Sequence, residues 1–125
     1  MEFNLEVPLD QFFIRSVTEK GIRILDDYYS SPFIISGQRI VPEWPVKSVD
    51  DINEENLQVI FELQPEVILL GTGLSQVFLP PATQVHFFRQ RLGFEVMSTD
   101  AACRTYNVLA AEGRHVVAAL LPPIS

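Results

Sequence analysis

Glu66-Val67-Ile68-Leu69-Leu70-Gly71-Thr72-Gly73 decides the fold class. Four consecutive apolar residues, too short for a helix and lacking a polar face, read as a strand buried on both sides, the form strands take inside α/β sheets. Gly71-Thr72-Gly73 is then expected to leave that strand as a loop.

Both flanks repeat the same logic. Upstream, Asp51 or Asn53 can cap a helix whose first turn carries Glu54 and Glu55, whose adjacent turns carry Leu57, Ile60, Phe61 and Gln64, and which Pro65 ends. Downstream, Pro80-Pro81 opens a second helix with Val85, Phe88 and Leu92 on one stripe, closed by Gly93. Phe94-Glu95-Val96-Met97 is a short strand, Ser98-Thr99-Asp100 caps a third helix over residues 101–111, and Gly113 occupies its left-handed terminus. His115 to Leu120 is the last strand, stopped by Pro122-Pro123. The N-terminal forty residues read as two or three short antiparallel strands, among them Phe12–Val17 and Gly21–Leu25, joined by the polar turn Thr18-Glu19-Lys20-Gly21. The expected fold is therefore α/β: a single three-layer domain over residues 1–125, with a mixed central sheet, about three helices and a small N-terminal antiparallel β layer.

Composition bounds the function. The chain has 125 residues, 47% hydrophobic and 20% charged, which supports one folded core and argues against disorder. Its net charge of −7 opposes binding to a phosphate backbone, so no nucleic-acid partner is expected. The charge is uneven: residues 1–66 hold 13 acids and 5 bases, residues 67–125 only 3 acids and 4 bases. The single cysteine, Cys103, excludes an internal disulfide, and two distant histidines, His86 and His115, leave no metal-ligand set; no cofactor motif is present. No stretch reaches the roughly 18 apolar residues of a membrane span. Met1 to Glu6 lacks the basic residues of a signal peptide or mitochondrial presequence, so a cytoplasmic protein is expected.

Ile68-Leu69-Leu70-Gly71-Thr72-Gly73, the Leu79-Pro80-Pro81 step and Met97-Ser98-Thr99-Asp100-Ala101-Ala102-Cys103-Arg104-Thr105-Tyr106-Asn107-Val108-Leu109-Ala110-Ala111-Glu112-Gly113-Arg114 resemble a domain-of-unknown-function family. Its eukaryotic members include a mitochondrial complex I assembly factor and an adipogenesis-associated protein. The likeness is strong from Glu66 to Leu121 and collinear earlier, through Gly21 and Trp44. It implies a three-layer α/β domain and an assembly-factor-like, non-enzymatic interaction role in a bacterial-type member. It supplies no catalytic residues.

Two candidate chemistries stand beside that role. Gly71, Thr72, Gly73 and Ser75 form a glycine turn after a buried strand, where α/β proteins present backbone N–H groups to ligands, although neither a Walker loop nor G-x-G-x-x-G is complete. With Arg104 as an anion clamp and Asn107 beside it, this loop would serve a small anionic ligand. The alternative is a polar network in which Arg104 meets a carboxylate, Asn107 meets loop backbone and Glu112 meets Arg114. Cys103 is the candidate reactive thiol, near a helix N-terminus and next to Arg104, both of which favour thiolate; packing among Ala101, Ala102 and Tyr106 is the competing reading. The expected partner is a protein, with self-association as another form of the same behaviour. Tyr28, Tyr29 and Trp44 either cover the edge of the core or form a contact surface, and one of Phe87 and Phe88 is expected at an interface.

Overall fold

A computed structural model of the chain describes residues 11–123; the targeting reading of Met1 to Glu6 lies outside them. The N-terminal β layer is a meander of β1 (Ser16–Thr18), β2 (Gly21–Ile24) and β3 (Asp27–Tyr29), all antiparallel. The next two strands leave this layer. β4 (Phe33–Ile35) and β5 (Ile40–Val41) join β6 (Val67–Thr72), β7 (Gly93–Met97) and β8 (Val116–Leu121) in a five-stranded sheet ordered β5-β4-β8-β6-β7. The N-terminal third thus contributes five strands rather than two or three, because Phe33, Ile34 and Ile35 are all buried and need a layer on each side.

β6 runs parallel to both β7 and β8, which lie on its opposite sides. Right-handed crossovers in opposite directions must use opposite faces of a sheet. The helices obey this: α2 (Pro81–Arg89) joins β6 to β7 on one face, and α3 (Thr99–Ala111) joins β7 to β8 on the other. α1 (Glu54–Glu62), capped reciprocally by Asn53 and Asn56, shares α2's face. The N-terminal meander shares α3's face.

Two cores result, divided by the sheet. Leu69, Phe33, Ile35, Ala118 and Leu120 face α3 and the meander; Ile68, Leu70, Ile34, Val117 and Ala119 face α1 and α2. Strand alternation sends neighbouring residues to opposite layers, which is why these strands read as unbroken apolar runs.

Two expectations are corrected. The buried face of α2 carries Phe87, which stacks on Phe94 at 4.5 Å and meets Phe61 edge-on, while Val85 and Phe88 are exposed. Gly93 does not close that helix: Gln90 caps it, Arg91 takes the left-handed conformation, and Gly93 begins β7.

Candidate functional site

The carboxyl edge of the parallel strands is where α/β proteins commonly bind ligands. Here β6 continues through Gly71 and Thr72, two residues further than the apolar run predicted, so the loop begins only at Gly73. Gly71 is buried against the start of α3. A Cβ there would stand 2.9 Å from the Leu120 side chain and 3.0 Å from Thr99 Cα. The residue is glycine because helix and strand touch, leaving no room for a ligand.

Gly73 turns the chain with φ +99°, a conformation that favours glycine. Its N–H donates to Thr99 Oγ1 at 2.8 Å, and its carbonyl accepts from Thr99 N at 2.9 Å. The fully buried Thr99 hydroxyl in turn donates to the Leu121 carbonyl, joining β6, α3 and β8 through one side chain. Thr72 organises the rest of the loop: its hydroxyl donates to the Ser75 carbonyl at 2.6 Å, with Met97 O at 3.2 Å, and accepts from Val77 N at 3.0 Å. Gln76 Nε2 donates to Val96 O on β7. The loop's Gly73 donor, expected to face an anion, is turned inward and used.

The other candidates lie elsewhere. Asn107 is buried on α3 and brackets Ile14, accepting from its N–H at 2.9 Å and donating to its carbonyl at 2.8 Å. Tyr106 Oη donates to Phe12 O beside it. Arg104 is half-exposed and pairs with Asp100 one turn earlier at 3.6 Å. Asp100 itself stands in the first turn of α3, where a carboxylate suits the helix dipole and opposes an incoming anion. Shallow clefts of about 370 and 290 Å³ flank Gly73 and Leu74; Arg104 and Asn107 line neither. The anion clamp is therefore not assembled.

For Cys103 the packing reading fits: it lies in the core with Ala102 and Tyr106. It is fully buried, and desolvation pushes its thiol far above the ordinary value of 9.0, with Asp100 adding to the effect and Arg104 only partly opposing it. The two histidines are not its partners: His86 rides on α2, beyond the sheet, and His115 starts β8, where its N–H donates to Glu66. Arg114 pairs with Glu66 rather than Glu112, through Nε at 3.3 Å. These two contacts, the His115 N–H first, hold the Glu66 carboxyl below its ordinary range.

What the loop presents outward is apolar. Leu74 is 66% exposed, Phe78 80% and Val77 44%, while Leu79 beside them is buried. The sequence signal for this surface was present in three apolar residues lying between a glycine turn and a proline pair, outside any helical or strand period. Thr99 gave no such signal, since a capping-region threonine is ordinary at a helix start.

The family model described as "Protein of unknown function (DUF498/DUF598)" matches residues 14–121. The chain belongs to this family. A Drosophila melanogaster protein named NADH dehydrogenase [ubiquinone] 1 alpha subcomplex assembly factor 3 is 32% identical over 126 residues, covering 98% of this chain and 64% of its own length. A Francisella tularensis protein named 13 kDa major membrane protein is 32% identical over 90 residues, 70% of this chain and 72% of that one. A crystal structure of a Bordetella parapertussis protein superposes with a TM-score of 0.83 at 37% identity, covering 92% of this chain and 99% of that one. The chain thus spans less than two thirds of the assembly-factor relative's length. Among the described residues no helix is long and apolar enough to cross a membrane.

Proposed function

We propose that this DUF498 member is a protein-interaction module of the assembly-factor type, docking on a partner protein through the loop that carries Leu74, Val77 and Phe78. One observation carries the reading: three apolar side chains project from a loop held from within by Thr72, Gly73 and Gln76. A loop tied in this way loses little conformational freedom on binding, so burial of its apolar surface converts efficiently into affinity. Aromatic and aliphatic anchors of this kind are what protein interfaces bury at their centres. The name of the Drosophila relative supports the same class of role. The small-anion reading is weaker, since the Gly73 N–H and Thr72 hydroxyl are used inside the fold and Arg104 and Asn107 line neither cleft beside the loop.

The test places a photo-crosslinking amino acid at Phe78 in the source organism, beside a Leu74→Ser/Phe78→Ser variant used in affinity capture. A reproducible protein adduct at position 78, with the same protein lost from the double variant while its circular dichroism and melting curve are kept, is the expected result. Adducts only between copies of this chain, or a partner retained by the double variant, would overturn it.

A further inference from the structure

The five-stranded sheet ends at β5, whose outer edge pairs with no other strand among the described residues. Between that edge and α1 lies a groove of about 480 Å³. Its apolar wall comes from Val41, Trp44, Pro45 and Val59, and its ionisable residues are Glu43 and Glu55, both exposed. The indole is fixed: Trp44 Nε1 donates to the Asn56 carbonyl at 2.8 Å, and its backbone N–H donates to Pro32 O. Asn53 and Asn56 cap α1 reciprocally at 2.9 Å, each through its Oδ1, and Asn56 Nδ2 donates to Asp51 O. Glu43 and Glu55 differ. Neither is ion-paired among the described residues, and no basic residue lines the groove. Arg39, next to Ile40, and Lys47 are the nearest bases in sequence; neither lines the groove, and Lys47 lines a separate cleft with Ser48 and Leu74.

We infer that this groove binds an extended segment of a partner protein in which an apolar side chain is flanked by lysine or arginine. The three parts of such a segment each have a counterpart. Its backbone meets the open edge of Ile40–Val41, as in strand addition. Its apolar side chain covers Val41, Pro45 and Val59 above the buried Trp44, and its cations meet Glu43 and Glu55. Charge complementarity selects this occupant: the groove lies within residues 1–66, where 13 acids face 5 bases, so an acidic segment or a nucleic acid is repelled. Two residues of strand edge give few backbone bonds, so cation and apolar contacts must supply most of the selectivity. The site stands apart from the Phe78 loop, so failure of either reading leaves the other standing.

Trp44 is the only tryptophan in the chain and reports directly on the groove. A phage-displayed library of random heptapeptides is selected on the full chain, and synthetic copies of the enriched peptides are titrated while Trp44 emission is followed. Enriched sequences are expected to combine an apolar residue with Lys or Arg and to give a saturable emission change that weakens with added salt. Affinity is expected to fall about tenfold in E43K/E55K and by less in E43Q/E55Q. E19K/E95K, which changes net charge equally elsewhere on the surface, keeps the affinity within about twofold. No enrichment, an acidic or uncharged consensus, or equal losses in E43K/E55K and E19K/E95K would overturn the proposal, as would an emission change that follows protein concentration alone and so marks a second copy in the groove.

Discussion

Asn107 shows how much a single side chain carries here. Its carboxamide satisfies both backbone groups of Ile14, which is itself buried, and so ties the segment entering the N-terminal meander to α3. Removing it strands one buried donor and one buried acceptor, at about 1–3 kcal/mol each. Asn107→Ala is expected to lose about 2–5 kcal/mol in urea unfolding, and Asn107→Asp, which keeps only the acceptor, also to lose stability. Arg104→Ala, which breaks a half-exposed pair with Asp100, should change stability less than Asn107→Ala does. Comparable losses at the two positions would disprove this ranking. The sequence placed Cys103 and Asn107 on one helix face and offered loop backbone as Asn107's partner, which the Ile14 contacts bear out. The helix-terminus and Arg104 arguments for a thiolate at Cys103 fail because burial is the larger effect; the small neighbours Ala101 and Ala102 already pointed to packing, whereas the meander that completes the cover over α3 has no local signal.

The same burial gives the protein an alkaline limit. Desolvation raises Cys103 above its ordinary 9.0 and Tyr106 above its ordinary 10.0 in the folded chain. Above pH 9 the unfolded chain releases protons that the folded chain retains. The folded state then binds more protons, so stability falls as pH rises. The contribution is complete below pH 9 and declines above it, by up to about 1.4 kcal/mol per pH unit from the thiol alone. Urea midpoints from pH 8 upward should therefore descend, and Cys103→Ala, whatever its effect at pH 8, should descend less steeply. Parallel slopes for the two proteins would exclude the thiol as a cause.

Among the elements, the turn from β6 into the Phe78 loop is the one whose internal order matters most to the proposed docking. Thr72 is its hinge pin, holding Ser75 and Val77 to the strand end by one hydroxyl. Thr72→Val keeps the shape and removes those bonds. Amide exchange at Val77 is expected to accelerate at least about tenfold, while global stability falls by only about 1–2 kcal/mol. Unchanged exchange at Val77 would mean that the loop is ordered by something other than Thr72. At this scale the sequence was informative about what is periodic and blind to what is not. Caps at Asn53 and Ser98 and the left-handed Gly113 were legible because short polar side chains and glycine have local reasons to be there. The length of β6 was not, since glycine and threonine look like a loop until α3 is packed against them. The face of α2 misled for a related reason. Helical spacing allowed either Phe87 or Phe88 inward, and Phe61 and Phe94, distant in sequence, chose Phe87.

The molecule as a whole is organised by a sheet that both cores share. Ile34 packs on one side and its neighbours Phe33 and Ile35 on the other; Leu69 opposes Ile68 and Leu70 in the same fashion. Neither core can lose its sheet face without exposing the other. The α/β class and three layers were readable from alternating helices and apolar strands, whereas the transfer of β4 and β5 into the main sheet was not, because pairing partners such as Ile34 and Ala119 lie far apart in sequence. That transfer matters for the proposed docking: it creates the β5 edge and the Trp44 groove. It also predicts how the protein unfolds. Trp44 reports on the α1–α2 layer and the Cys103 thiol on the α3 layer. If the shared strands couple them, loss of Trp44 fluorescence and exposure of Cys103 to a thiol reagent should follow one denaturant curve, with the same midpoint and slope. A separate, earlier exposure of Cys103 would mean that α3 and the meander detach while the sheet still holds α1 and α2.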